Sequence, residues 1–82
     1  MNTEDIFEII TRHTREVLPG LEAHRFQRDD SLRDLGANSV DRSEIVLMTL
    51  ASLSLDIPLI ETVRAQNMGE LASLLREKLP SA

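Results

Sequence analysis

A serine at position 39 closes the run Leu35-Gly36-Ala37-Asn38-Ser39-Val40, where a glycine turn passes into an apolar-periodic segment. A hydroxyl at such a junction can cap the following helix, or it can stay free to carry a group. An anion attached there would meet unpaired backbone amides and the positive end of the helix dipole. The run is not a G-x-S-x-G nucleophile elbow, because Val40 stands where the second glycine belongs and no strand precedes it. Other chemistry-bearing residues are poorer candidates. His13 falls on a helix face and His24 in a loop, with no cysteine and no ligand spacing around them, so both read as satisfied histidines. Asp29, Asp30 and Asp34 lack the glycine and distal glutamate of a calcium loop and read as solvated charge, so no metal site is expected. Nothing pairs a nucleophile with an adjacent base, which argues against a stand-alone enzyme.

The elements that must position Ser39 are helical. Ile6, Ile9, Ile10, His13 and Val17 recur at helical spacing behind Glu4 and Asp5, which suit a helix N-terminus, so a first helix is expected over about Thr3 to Leu18. Pro19-Gly20 ends it. From Leu21 to Asn38 the chain carries mixed charge with isolated apolar residues at Leu21, Phe26, Leu32 and Leu35, the pattern of an ordered loop pinned by those side chains. Loops of this length in a small domain are uncommon and often functional. A second helix is expected from about Ser39 to Leu53, capped by Asn38 or Ser39, with Asp41 and Glu44 in its first turns. Pro58 opens a short third helix to about Arg64, and Asn67 caps a last one bearing Met68, Leu71, Leu74, Leu75 and Leu79 and ending before Pro80. The fold class is therefore all-α, a four-helix bundle with a long loop between helices one and two and a short third helix.

Composition narrows the partners. The 82 residues have room for one domain, taken as 1–82, with 41% hydrophobic residues and only two Phe as aromatics. The formal charge of −5 argues against a surface built to neutralise nucleic-acid phosphates. With no cysteine there is no disulfide framework, which fits a reducing compartment. The acidic residues within the first 18 positions exclude a signal peptide or a membrane span there, so a cytoplasmic monomer without membrane contact is the expectation.

With its signature at Leu35-Gly36-Ala37-Asn38-Ser39-Val40 and its later Asp56-Ile57-Pro58, the whole chain resembles an acyl carrier protein. The resemblance implies a four-helix carrier fold and a 4′-phosphopantetheine arm, transferred from coenzyme A to Ser39, whose thiol holds acyl groups as thioesters. Two positions depart from the common family pattern: Asn38 stands for the usual Asp and Val40 for the usual Leu. Both flank the serine, where a phosphopantetheinyl transferase is expected to read charge, so the identity of that transferase is placed in doubt. The longer string Gly36 to Ile45, with Leu53-Ser54-Leu55-Asp56-Ile57-Pro58-Leu59, resembles free-standing donor carriers of polyketide β-branching cassettes. Their partners would be an acyltransferase, a decarboxylating ketosynthase that leaves acetyl in place of malonyl, and an HMG-synthase-like enzyme that adds the acetyl unit to a β-ketone. A general carrier of fatty acid or polyketide elongation shares the same serine, and a helical interaction module without an arm is the alternative from another class.

The second helix carries apolar residues on more than one face, which fits either a mostly buried central helix or an apolar docking surface. At 3.6 residues per turn, Leu50 lies about three turns beyond Ser39 on nearly the same side, with Leu47 within a quarter turn. Both are expected on the enzyme-facing surface together with Asn38, Val40 and Arg42, whereas Ile45 and Met48 are expected in the core. Arg42 can pair with Asp41 or Glu44, or meet an acid of the partner.

Overall fold

A computed structural model describes residues 1–80; the last two positions of the expected 1–82 domain lie outside the described residues. Three α-helices form, α1 (Thr3–Val17), α2 (Ser39–Ser52) and α3 (Met68–Lys78), with a 3-10 helix at Leu59–Thr62 between the last two. Each α-helix starts on an asparagine. Asn2 accepts the Asp5 amide and Asn67 the Glu70 amide, both at 2.8 Å, and Asn38 plays the same part for α2. Relieving one orphan amide in this way contributes about 0.5–2 kcal/mol per helix.

α1 is the central element, packed against α2 on one side and α3 on the other. Its Ile6 and Ile10 are fully buried, facing Ile45 of α2 and the Met68, Ala72 and Leu75 stripe of α3 within a single core. The core also takes in two threonines, Thr14 and Thr49, whose hydroxyls donate to the carbonyls of Ile10 and Ile45 one turn back; among the described residues the Thr11 hydroxyl is the buried side-chain group left without a partner. His13 bridges α1 and α2, with Nδ1 on Glu16 at 2.6 Å and Nε2 on the Ser52 hydroxyl at 2.7 Å, the satisfied histidine its position suggests.

The long loop is an ordered wall. Leu18, Leu32 and Ala37 are buried, and Leu21, Phe26 and Leu35 pack at the core's edge. Arg15 reaches across from α1 to the carbonyls of Leu21 and His24 and lies over the Phe26 ring, 4.9 Å from its centroid. Asp30 accepts the Gln27 amide at 2.8 Å and meets His24 Nε2 at 3.0 Å. The Gln27 amide, with His24 assisting against the opposing effect of burial, holds the Asp30 carboxyl below its ordinary range. Two backbone bonds then fasten the loop to the start of α3: the Met68 amide donates to the Asp30 carbonyl and the Gly69 amide to that of Arg28.

The expected short third helix is a single 3-10 turn, so the four expected helices resolve into three α-helices and this turn. Its bonds all run i to i+3, from Glu61 to Pro58, Val63 to Ile60 and Ala65 to Thr62. The segment is rich in β-branched Ile60, Thr62 and Val63, which resist α-helix, and it must turn again at once to reach the Asn67 cap. At the other end of the connection, α2 closes in a Schellman arrangement: the Ser54 amide bonds to the Ala51 carbonyl and the Leu55 amide to that of Leu50. Ser54 takes the left-handed position, with φ of 51°, where glycine is usual.

These details make two substitutions of opposite sign informative. A Cβ on Gly69 would stand 2.9 Å from the Arg28 Cβ and 3.0 Å from its carbonyl oxygen, and the Gly69 hydrogen bond keeps that carbonyl close. Gly69→Ala should therefore cost about 1–2 kcal/mol even after the ~1 kcal/mol of helix propensity that alanine returns. Ser54→Gly should add on the order of 0.5 kcal/mol by removing left-handed strain. Thermal denaturation of the two variants beside the wild type checks both signs, at roughly 4–8 °C per kcal/mol for a domain this small.

Candidate functional site

Gly36 turns the chain with φ of 105°, a conformation that an L side chain rarely adopts, and Ala37, 3% exposed, plugs the turn into the core. The Ala37 amide bonds to the Leu32 carbonyl at 3.0 Å. Asn38 follows as the N-cap, its side chain accepting the Asp41 amide at 2.8 Å while the Asp41 carboxylate accepts the Asn38 amide at 3.3 Å. This reciprocal box decides between the two possible caps: the capping duty falls to Asn38. Ser39 becomes the first helical residue, exposed, and its hydroxyl makes no hydrogen bond among the described residues. The amides of Ser39 and Val40 precede the first intrahelical bond, which runs from the Arg42 amide to the Asn38 carbonyl. A negatively charged group on the Ser39 oxygen would thus sit at the positive end of a fourteen-residue helix with two amides still to satisfy.

Ser39 also stands on the rim of a groove of about 640 Å³. Arg42, Ser43 and Val46 of α2 form one wall, Leu32 and Leu71 are at its lining, and Leu59, Thr62 and Val63 form the other. The groove mixes apolar and polar lining, and so fits a linear amphipathic chain better than a purely hydrocarbon one. A phosphodiester-linked arm on Ser39 fits these residues: the attachment oxygen makes no hydrogen bond among the described residues, the helix end favours the charge, and a groove of mixed lining lies beside it.

Of the residues expected on the enzyme-facing surface, the structure separates two groups. Val40 and Leu47 are exposed, at 72% and 53%, and with Glu44 and Ala51 they run down the outer side of α2. Leu50 is not among them. It is 5% exposed and belongs to the inward stripe of Ile45, Val46, Thr49 and Leu50. Counting turns from Ser39 fails because Ser39 lies at the helix end, beyond the reach of the core, and is exposed whatever its phase. Ile45 is in the core as expected, whereas Met48 is half-buried. Arg42 pairs with neither Asp41 nor Glu44: its guanidinium folds back and donates to the Ala37 carbonyl at 2.9 Å, bracing the turn that presents Ser39. Asn38 is a cap whose surface is nonetheless exposed beside the serine.

Sequence reasoning missed Val63. It is 66% exposed and sits on the far wall of the groove, so that apolar surface flanks Ser39 on both sides. In Leu59-Ile60-Glu61-Thr62-Val63 every position but one is apolar or β-branched, and no periodicity marks which side chains turn outward.

No family model matches the chain. It is 50% identical, over 82 residues and the whole of both chains, to the polyketide biosynthesis acyl-carrier-protein AcpK of Bacillus subtilis (strain 168). A chain of the solved complex of the curacin biosynthetic pathway HMG synthase with acetyl donor-ACP superposes with a TM-score of 0.92 and 46% identity, covering 95% of this chain and 100% of that one.

The division of α2 into an inner and an outer side can be measured directly. Leu50→Ala should cost about 2–5 kcal/mol, the range for emptying a buried leucine site. Leu47→Glu should change stability by less than about 0.5 kcal/mol. Urea titrations followed by circular dichroism compare the two, and equal losses would contradict the assignment of faces.

Proposed function

The chain belongs to the acyl carrier protein family, and from that premise we propose that Ser39 bears a 4′-phosphopantetheine arm and that the loaded protein is the acetyl donor to an HMG-synthase-like enzyme in polyketide β-branching. The observation that carries the attachment site is the free, exposed hydroxyl of Ser39 at the first position of α2, left uncommitted because Asn38 forms the cap. When attached, the arm supplies a terminal thiol that holds cargo as a thioester, malonyl first and acetyl after decarboxylation. The protein's own residues do the rest. The Ser39 and Val40 amides and the α2 dipole stabilise the phosphodiester charge. The Arg42 bond to Ala37 keeps the turn from sliding, and Val40, Leu47 and Val63 offer apolar contacts to whichever enzyme receives the cargo.

The partners on this reading are a phosphopantetheinyl transferase that accepts Asn38 beside the serine, an acyltransferase, a decarboxylating ketosynthase and the synthase itself. The protein is a shuttle and not a catalyst. No described helix is long and apolar enough to cross a membrane. We assign it a place in the cytoplasm, as a monomer of one carrier domain. The donor role rests on the likeness to the carrier bound to an HMG synthase, and the distinction from a general elongation carrier is one of partners alone.

Two measurements test this in sequence. Incubation with coenzyme A and a phosphopantetheinyl transferase should add one arm to the wild type and none to Ser39→Ala, as intact mass will read; an arm on the alanine variant would refute the site. Malonyl-loaded protein is then mixed with the decarboxylating ketosynthase, the synthase and an acetoacetyl-loaded acceptor carrier. Acetyl transfer to the β-ketone is the expected result. Absence of transfer alongside efficient elongation by an ordinary ketosynthase would assign the chain to general elongation instead.

A further inference from the structure

Among the described residues, Arg42 is the one cation that shares both a helix face and a groove wall with Ser39. Residues three apart on a helix have Cβ atoms about 5–6 Å apart, so the Arg42 stem rises beside Ser39. Its guanidinium is part-buried, and one of its nitrogens is held to the Ala37 carbonyl at 2.9 Å. A guanidinium presents several N–H donors in a rigid planar fork, and the Ala37 bond engages only one of them. No carboxylate pairs with Arg42 among the described residues. Asp41, its neighbour, is turned toward the Asn38 amide. An arginine thus stands part-buried, immobilised by one bond and unneutralised, in a chain whose net charge is −5. Arg33 and Asp34 also line the groove, but both are exposed loop residues of opposite sign.

Resting on the reading of Ser39 as the attachment site, we propose that Arg42 is a positioning residue for the arm: its remaining N–H donors bind the phosphodiester on Ser39 and direct the arm into the groove. Charge-assisted bonds between a guanidinium and a phosphate oxygen are short and directional, and this geometry adds a side-chain donor to the Ser39 and Val40 amides. The Ala37 bond has a second purpose on this account. It removes the rotamer freedom that a long arginine would otherwise lose on engaging the phosphate.

The test uses the full chain before and after loading with the arm. Nitrogen-edited NMR reads the Arg42 Nε–H and phosphorus NMR reads the phosphodiester, with thermal melting recorded on the same samples. Loading should shift the Arg42 Nε–H resonance in the wild type. In loaded R42Q the phosphorus resonance should move to its position in urea-unfolded loaded protein, and R42K, which keeps the charge without the fork, should fall between. An Arg42 resonance that does not move on loading overturns the proposal, and this comparison needs no variant to fold. A phosphorus resonance identical in wild type and R42Q overturns it as well; if R42Q also melts lower, Arg42 is only a brace for the turn. A wild type that never gains the arm overturns the Ser39 reading, and this inference with it, and so is told apart from a loaded protein indifferent to Arg42.

Discussion

The 2.8 Å bond from the Asp41 amide to the Asn38 side chain fixes the residue at which α2 begins, and most of what distinguishes this surface follows from that choice. Had Ser39 been the cap, its oxygen would accept an amide of the first turn and the hydroxyl would be committed within the protein. With Asn38 as cap, Ser39 is the first helical residue, exposed, and its hydroxyl makes no hydrogen bond among the described residues. Packing against α1 then holds Ile45, Val46, Thr49 and Leu50 in the core and leaves Val40 and Leu47 outside. Gly36, Ala37 and Arg42 support the register from the loop side. The glycine makes the turn, the alanine plugs it, and the arginine ties the helix back to it.

A core with so few aromatic residues has to be closed in other ways. α1 supplies one face to each of its two neighbours, and the buried Thr14, Thr49 and His13 are each hydrogen-bonded. The long loop completes the enclosure because it is fastened at its beginning and at its middle. Arg15 clasps its beginning from α1, and the amides of Met68 and Gly69 hold its middle against α3. Gly69 is the point at which the loop backbone and the α3 backbone come closest, and the absence of a side chain there lets the loop serve as a wall beside the groove.

Local rules made much of this legible. Glu4 and Asp5 mark the start of α1 and Asn67 that of α3, signals that depend only on neighbouring residues, while in the sequence the cap of α2 stays open between Asn38 and Ser39; the Pro19-Gly20 stop is equally local. The loop anchors Leu32 and Leu35, and the inward Ile6 and Ile10, follow from apolar spacing. What could not be read depends on distant packing. Whether Leu50 faces in or out is decided by where α1 lies against α2, and the phase of Ser39 at a helix end carries no information about that. The 3-10 turn depends on how the chain must reach the Asn67 cap. The partner of Arg42 is a backbone carbonyl, which has no signature in the side-chain sequence.

Apolar side chains lie on both sides of Ser39, Val40 and Leu47 along α2 and Val63 across the groove, and exposed Ile60 lies on the 3-10 turn beside Val63. A small, broken apolar footprint buries little area, and interfaces of low area exchange quickly. For a carrier that, on the proposed function, is loaded by one enzyme, processed by a second and emptied by a third, fast release would matter as much as recognition. The groove contributes from the other direction. A channel of mixed polarity beside the attachment point can hold an amphipathic arm by weak contacts without enclosing a long hydrocarbon. The two-carbon cargo of the proposed function needs no hydrophobic sleeve, and a braced turn before Ser39 with a groove of mixed polarity beside it suits a short acyl unit meant to be given away.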